Sequence, residues 1–150
     1  YVRSYLTIQK MRYKDKLEFQ IDVSPEILSR NIIKLVLHPI VENAIYHGIK
    51  YKESRGLLEI RGYREKECII IEISDDGIGI REEVLKNIYE RHKVNYRSNG
   101  VGVYNVQKRL QLYYGNEYGI TYRSEPQMGT TAIIRIPANP SGQEEKRETV

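Results

Sequence analysis

Along residues 2–13 the apolar positions Val2, Tyr5, Leu6, Ile8 and Met11 recur at helical spacing, which predicts a helix with a modest apolar stripe. The period then changes. Leu17, Phe19, Ile21 and Val23 alternate with Glu18, Gln20 and Asp22, the pattern of a half-buried strand. Ser24-Pro25-Glu26 ends it, with Ser24 a cap and Pro25 the first residue of a short helical turn. Residues 31–50 read as helical, with Ile32, Val36, Ile40, Ala44 and His47 down one side. Pro39 lies inside that stretch and has no amide donor, so it either kinks the helix or starts a fresh segment. Gly48 reads as the stop.

Two strands follow, Leu58 and Ile60 alternating with Glu59 and Arg61, then Ile69, Ile71 and Ile73 with Ile70 and Glu72. The short polar link Glu65-Lys66-Glu67 makes them an antiparallel hairpin. A short helix is predicted at 81–90 and a mobile loop without periodicity at 91–99. Helix returns at 101–114, where Val103, Val106, Leu110 and Tyr113 form a core stripe. Strands at 117–124 and 130–136 flank a turn at Pro126, and Pro137 and Pro140 close the fold. The polar stretch 141–150 reads as disordered. Strands grouped in pairs between helices predict an α/β protein of the α+β kind. This is a two-layer sandwich, its mixed and mostly antiparallel sheet covered by helices on one face.

Composition narrows the possibilities. A chain of 150 residues that is 40% hydrophobic can bury one core. Apolar runs such as Cys68–Ile71 are far shorter than the ~20 residues of a membrane span. One cysteine, Cys68, excludes a disulfide framework and a four-thiolate zinc site. The 24 basic residues exceed the 20 acidic ones by only four, and the acids are interleaved, as in Arg64-Glu65-Lys66-Glu67. That pattern reads as a solvated surface and not as a nucleic-acid footprint. The chain opens on Tyr1, which predicts a piece of something longer.

The chemistry lies in three glycine-rich stretches and one helix. Ser74-Asp75-Asp76-Gly77-Ile78-Gly79 follows the strongest strand, Asn99-Gly100-Val101-Gly102 precedes a helix, and Met128-Gly129-Thr130 opens the last strand. Glycines permit positive φ and close backbone approach, and a helix start leaves free N–H groups suited to anions. In Pro39-Ile40-Val41-Glu42-Asn43-Ala44-Ile45-Tyr46-His47-Gly48, Asn43 and His47 are four apart and share a face. Taken singly, each element reads first as a loop or a satisfied core residue.

Their order is what is specific. Asn-bearing helix, strand with Asp-x-Gly-x-Gly, loop, Gly-x-Gly helix and Gly-Thr strand together resemble the ATP-binding domain of sensor histidine kinases. That domain shares the Bergerat fold with gyrase, the ninety-kilodalton heat-shock chaperones and mismatch-repair ATPases. The wording is closest to the subgroup reading Pro-x-Val-Glu-Asn-Ala-x-x-His-Gly, here Pro39–Gly48, then Gly-x-Gly-x-x-Asn-Val-x-x-Arg-Leu, here Gly100–Leu110. Tyr5–Tyr13 resembles the subgroup's connector from its dimerisation helices.

The resemblance implies ATP and Mg²⁺ as cofactors. It makes Asn43 the Mg²⁺ ligand, a hard oxygen donor of the kind magnesium prefers. Asp75 accepts from the adenine amine: an ionised carboxylate is acceptor-only, so it suits an amine and rejects a carbonyl. Gly77 and Gly79 let the chain pass the base and sugar, Gly100 and Gly102 flank the phosphates, the Thr130 hydroxyl supports the adenine site, and His47 lines the nucleotide. Where the family often has Lys or Arg three residues after the metal Asn, this chain has Tyr46, so the lid residues Arg91, His92, Lys93 and Arg97 are the candidates for phosphate charge. Arg109 reads equally as structural. Asp76 stands where Asn is common.

Position 39 separates the readings. Gyrase-like ATPases carry a water-activating Glu there, and Pro39 cannot do that work; Glu42 is on a different face of the helix from Asn43. None of His38, His47 and His92 has the phosphoacceptor pattern. The implied domains are a connector helix at 1–16, the catalytic domain at 17–137 and a tail at 138–150. The implied partners are an upstream dimerisation and phosphoacceptor domain and a response-regulator receiver, with no nucleic acid. The whole protein is then a homodimeric, membrane-anchored bacterial kinase with this domain in the cytoplasm. A water-using ATPase of the same fold and a non-catalytic nucleotide-binding module are the alternatives.

Overall fold

The period-two segments become the five strands of one sheet: β1 (Leu17–Val23), β2 (Gly56–Glu65), β3 (Cys68–Asp75), β4 (Gly119–Glu125) and β5 (Gly129–Pro137). This computed structural model describes residues 1–33, 35–88 and 101–139. The strand order is β1-β2-β3-β5-β4. β1 pairs with β2 in parallel, and the other three pairs are antiparallel. The register puts Ile60, Ile73 and Ala132 side by side, and likewise Ile71, Ile134 and Ile120. These residues share one face, while Glu18, Asp22, Arg61, Glu72 and Arg135 alternate onto the other.

Helices cover the apolar face. They are α1 (Val2–Tyr13), α2 (Pro25–Leu28), α3 (Leu37–Asn43), α4 (Glu82–Asn87) and α5 (Val101–Tyr114). Leu6, Ile40, Val41, Val106 and Leu110 are buried against the sheet's Leu58, Ile73 and Ile134. Each such side chain contributes about 1.5–3 kcal/mol by leaving water.

Several expectations are corrected. The helix expected from residue 31 starts only at Leu37. Pro39 falls in its first turn, where an N–H has no intrahelical partner, so it belongs to a new segment and does not kink an old one. Gly48 does not stop the helix. After α3 the chain widens into a π turn, Ala44–Ile49, and the Lys50 N–H donates to the Ile45 carbonyl at 2.9 Å. In α1 the buried stripe is Val2, Tyr5, Leu6 and Tyr13, and Ile8 and Met11 face outward, because both stripes fit the spacing and only one meets the sheet. At the end of α5, Tyr114 packs on the core and Tyr113 is exposed, the four-residue step replacing the three-residue one.

Packing is continuous across the expected ends of the central unit. Leu6 is fully buried. Ala138 is buried too, and its N–H donates to the Glu67 carbonyl at 2.8 Å. The loop expected at 91–99 and the tail at 141–150 lie outside the described residues.

Candidate functional site

β3 ends on Asp75, and the strand's alternation sends its side chain to the helix-covered face beside Ile73. It is 7% exposed, the one buried charged residue among those described. The Gly77 N–H donates to Oδ1 at 2.9 Å. Burial pushes the carboxyl pKa up to about 6; the Gly77 N–H pulls against it, the Asp76 charge adds to the rise, and the Thr130 N–H and Lys52 pull it down further.

Glycines make this burial possible. A Cβ on Gly48 would sit 2.3 Å from Asp75 Oδ1, and one on Gly77 would sit 2.3 Å from the Gly48 carbonyl carbon. The π turn of the Asn43 helix thus lies directly against the carboxylate. Gly77 and Gly79 were expected to clear a base and sugar. They also allow close approaches within the chain itself: Gly79, at φ 71, lies against the Glu125 carbonyl. The Gln127 N–H donates to the Ile78 carbonyl at 2.8 Å, clamping the glycine loop to the β4–β5 turn.

Asp76 points the other way. Its Oδ1 accepts from the Leu57 N–H at 2.8 Å and its Oδ2 pairs with Lys52 Nζ at 2.7 Å. The two adjacent carboxylates therefore have separate surroundings, one buried beside Gly48 and one on the rim.

Thr130 is paired with Asp75 in the ladder and shares its face. Its hydroxyl is fixed by Ser124. Ser124 Oγ donates to the Gly129 carbonyl at 2.9 Å and accepts from the Ile80 N–H at 2.8 Å. With that one proton committed, the 2.9 Å contact to Thr130 Oγ1 needs Thr130 as donor. Thr130 Oγ1 is left with its lone pairs to offer.

Asn43 closes α3 half-buried, and its amide has no hydrogen-bond partner among the described residues. His47 lies one turn on and is exposed at its edge; its ring meets Tyr46 edge-on with centroids 5.2 Å apart. Desolvation of its packed side, then the Lys50 charge, lower its pKa below the usual imidazole range. Glu42 faces α1, where its charge follows burial in raising the Tyr5 hydroxyl pKa. A Cβ on Gly102 would meet Pro39 Cβ at 3.2 Å, so this glycine seats α5 against the start of α3. Lys93, Arg97 and Gly100, with Arg91 and His92, lie outside the described residues.

The structure thus brings Asp75, Gly77, Gly79 and Thr130 into one cluster and packs the helix of Asn43 and His47 on it through Gly48. Sequence reasoning missed Ser124 and Lys52. A serine at a core-facing strand position beside Ile120 and Tyr122 was a readable signal for the first. Lys52 is a loop residue and gave none.

A nucleotide fits this donor set. A buried carboxylate held by two backbone N–H groups suits an exocyclic amine, and Asn43 adds one oxygen. No group of three or more His, Cys, Asp or Glu side chains among the described residues could hold a metal by itself. A single amide oxygen suits a Mg²⁺ whose other ligands are phosphate and water. No described helix is long and apolar enough to cross a membrane.

Residues 31–140 match the family described as histidine kinase-, DNA gyrase B- and HSP90-like ATPases, and the chain belongs to that family. It is 32% identical over 136 residues to the sensor histidine kinase YesM of Bacillus subtilis, covering 91% of this chain and 22% of YesM. It is 31% identical over 137 residues to the sensor histidine kinase BtsS of Escherichia coli K12, covering 91% and 22%. The chain therefore spans less than a third of these relatives. The fold matches the nucleotide-free catalytic domain of histidine kinase ThkA with a TM-score of 0.68 at 22% identity, covering 93% of this chain and 92% of that one. ThkA is also known in complex with the response regulator TrrA.

Proposed function

We propose that this chain is the ATP-binding catalytic domain of a sensor histidine kinase, which passes the ATP γ-phosphoryl group to a histidine on an upstream dimerisation domain. The phosphoryl group then moves to a response-regulator aspartate. The observation that carries the reading is Asp75: a carboxylate at a sheet end, buried against Gly48 of the turn that follows the Asn43 helix, its pKa raised by that burial to about 6.

In this reading Asp75 accepts from the adenine amine, and Thr130 Oγ1, its proton turned to Ser124, adds an acceptor beside it. Asn43 is the protein ligand to Mg²⁺, which when bound neutralises phosphate charge. His47 lines the nucleotide. Gly100, Gly102, Lys93 and Arg97 flank the phosphates. The chain's contribution is position and charge, which make up most of phosphoryl-transfer catalysis. Residues 1–16 connect to the dimerisation helices, residues 17–137 are the catalytic unit, and 138–150 are a tail. The whole protein is a membrane-anchored homodimer with this domain on the cytoplasmic side.

The test uses the full-length protein with Mg-ATP labelled at the γ-phosphate. Acid-labile, alkali-stable label on a histidine is expected, and its loss in Asp75→Asn. Phosphate release at the rate of a dedicated ATPase, with no histidine label, would overturn the proposal in favour of a water-using enzyme.

A further inference from the structure

We infer that Lys50 supplies the nucleotide-phosphate cation of the Asn43 helix, the role that position 46 cannot fill in this chain because it holds Tyr46. The inference rests on the ATP-binding reading of the site.

Tyr46 and His47 lie on the π turn that follows Asn43, and Lys50 closes that turn. Tyr46 is exposed and brings no charge. The Lys50 ammonium lies 4.1 Å from the centroid of the Tyr46 ring and 5.4 Å from that of Tyr51. The ring face carries negative potential, so it holds the ammonium without neutralising it. Lys50 is near enough to His47 for its charge to act on that imidazole. The nearby cation Lys52 is already committed to Asp76, whereas Lys50 has no salt-bridge partner among the described residues.

The π turn matters here. The Lys50 N–H closes the wide turn onto the Ile45 carbonyl, so the residue is still tied to the helix that carries Asn43 and does not belong to the loop beyond it. Tyr46 then acts as a prop. It gives the longer reach from position 50 a fixed end point, so that aromatic ring and lysine together replace one shorter lysine or arginine at position 46. An unpaired ammonium on this surface suits a polyphosphate and adds nothing for an uncharged nucleoside.

The test measures Mg-ATP and adenosine affinities of the 150-residue chain by competition with a fluorescent adenine nucleotide. Lys50→Gln is expected to weaken Mg-ATP about tenfold, the loss of one charge-assisted contact, and to leave adenosine within about twofold. Retained adenosine binding shows that the variant is folded. Tyr46→Lys added to Lys50→Gln is expected to recover most of the Mg-ATP affinity. Lys50→Gln binding Mg-ATP like the parent, while Asp75→Asn still loses adenosine, would overturn the inference and leave the nucleotide site standing. Equal loss of both ligands in Lys50→Gln would overturn it by making Lys50 structural. A parent chain that binds neither ligand overturns this inference and the ATP-binding reading together.

Discussion

At the scale of single residues, Asp75 is the group whose environment departs furthest from water. A carboxyl held at about 6 in the fold, against an ordinary 3.8, binds its proton more tightly when folded. It therefore adds stability below pH 3.8 that is lost as pH rises through about 6, a change on the order of 3 kcal/mol. In the proposed site an adenine amine would reverse the preference, because it bonds to the ionised form. Adenosine affinity should fall about tenfold from pH 7 to pH 5, following the ionised fraction, and a binding titration across that range checks it. Asp75→Asn should lose most of the affinity and flatten the profile, since a hydrogen bond to a charged group contributes ~1.5–3 kcal/mol. Asp76→Asn should shift affinity little. Its partner Lys52 sits on the rim, an exposed pair contributes at most ~1 kcal/mol, and an amide oxygen still accepts from the Leu57 N–H. An Asp76 variant with the Asp75 phenotype would show that the two carboxylates had been assigned in the wrong order.

At the scale of elements, the π turn sets how near the Asn43 helix approaches β3. Its contact is Gly48, and Gly48→Ala puts a methyl 2.3 Å from Asp75 Oδ1. The helix must retreat, so about 1–3 kcal/mol of stability should go, together with adenosine affinity. Thermal unfolding and the same titration read the two losses. The alternating patterns made every strand legible, because period two leaves little choice of face. Helix faces were less legible: Ile8 and Met11 fit helical spacing as well as Val2 and Leu6 do, and only the sheet's position decides between them. The π turn was not legible at all. A π turn leaves no separate mark in the pattern of apolar residues, and a glycine after an apolar helix reads locally as a stop. The site's anchor residues were visible through their order along the chain. Ser124 was legible only as a serine on the core-facing side of β4, and Lys52 was not legible, because its pairing with Asp76 exists only once the approach to β2 is folded beside the glycine loop.

At the scale of the whole molecule, the helix expected to be a connector is also part of the core. Leu6→Ala should cost about 2–5 kcal/mol in urea unfolding, a large share of the ~5–15 kcal/mol that holds a domain together. A cost near zero would make α1 a passenger. The sheet's one parallel pair has a further consequence for how the chain reaches this state. β2–β3 and β4–β5 close across short turns, whereas the β1–β2 pair spans residues 24–55, the segment that contains Asn43, His47 and Gly48, and the β3–β5 pair spans residues 76–128. Long closures are the slow ones. The Asn43 helix thus lies within one of the two long closures, the one that seats the edge strand β1. A copy that has not paired β1 with β2 has therefore not closed the segment that carries Asn43.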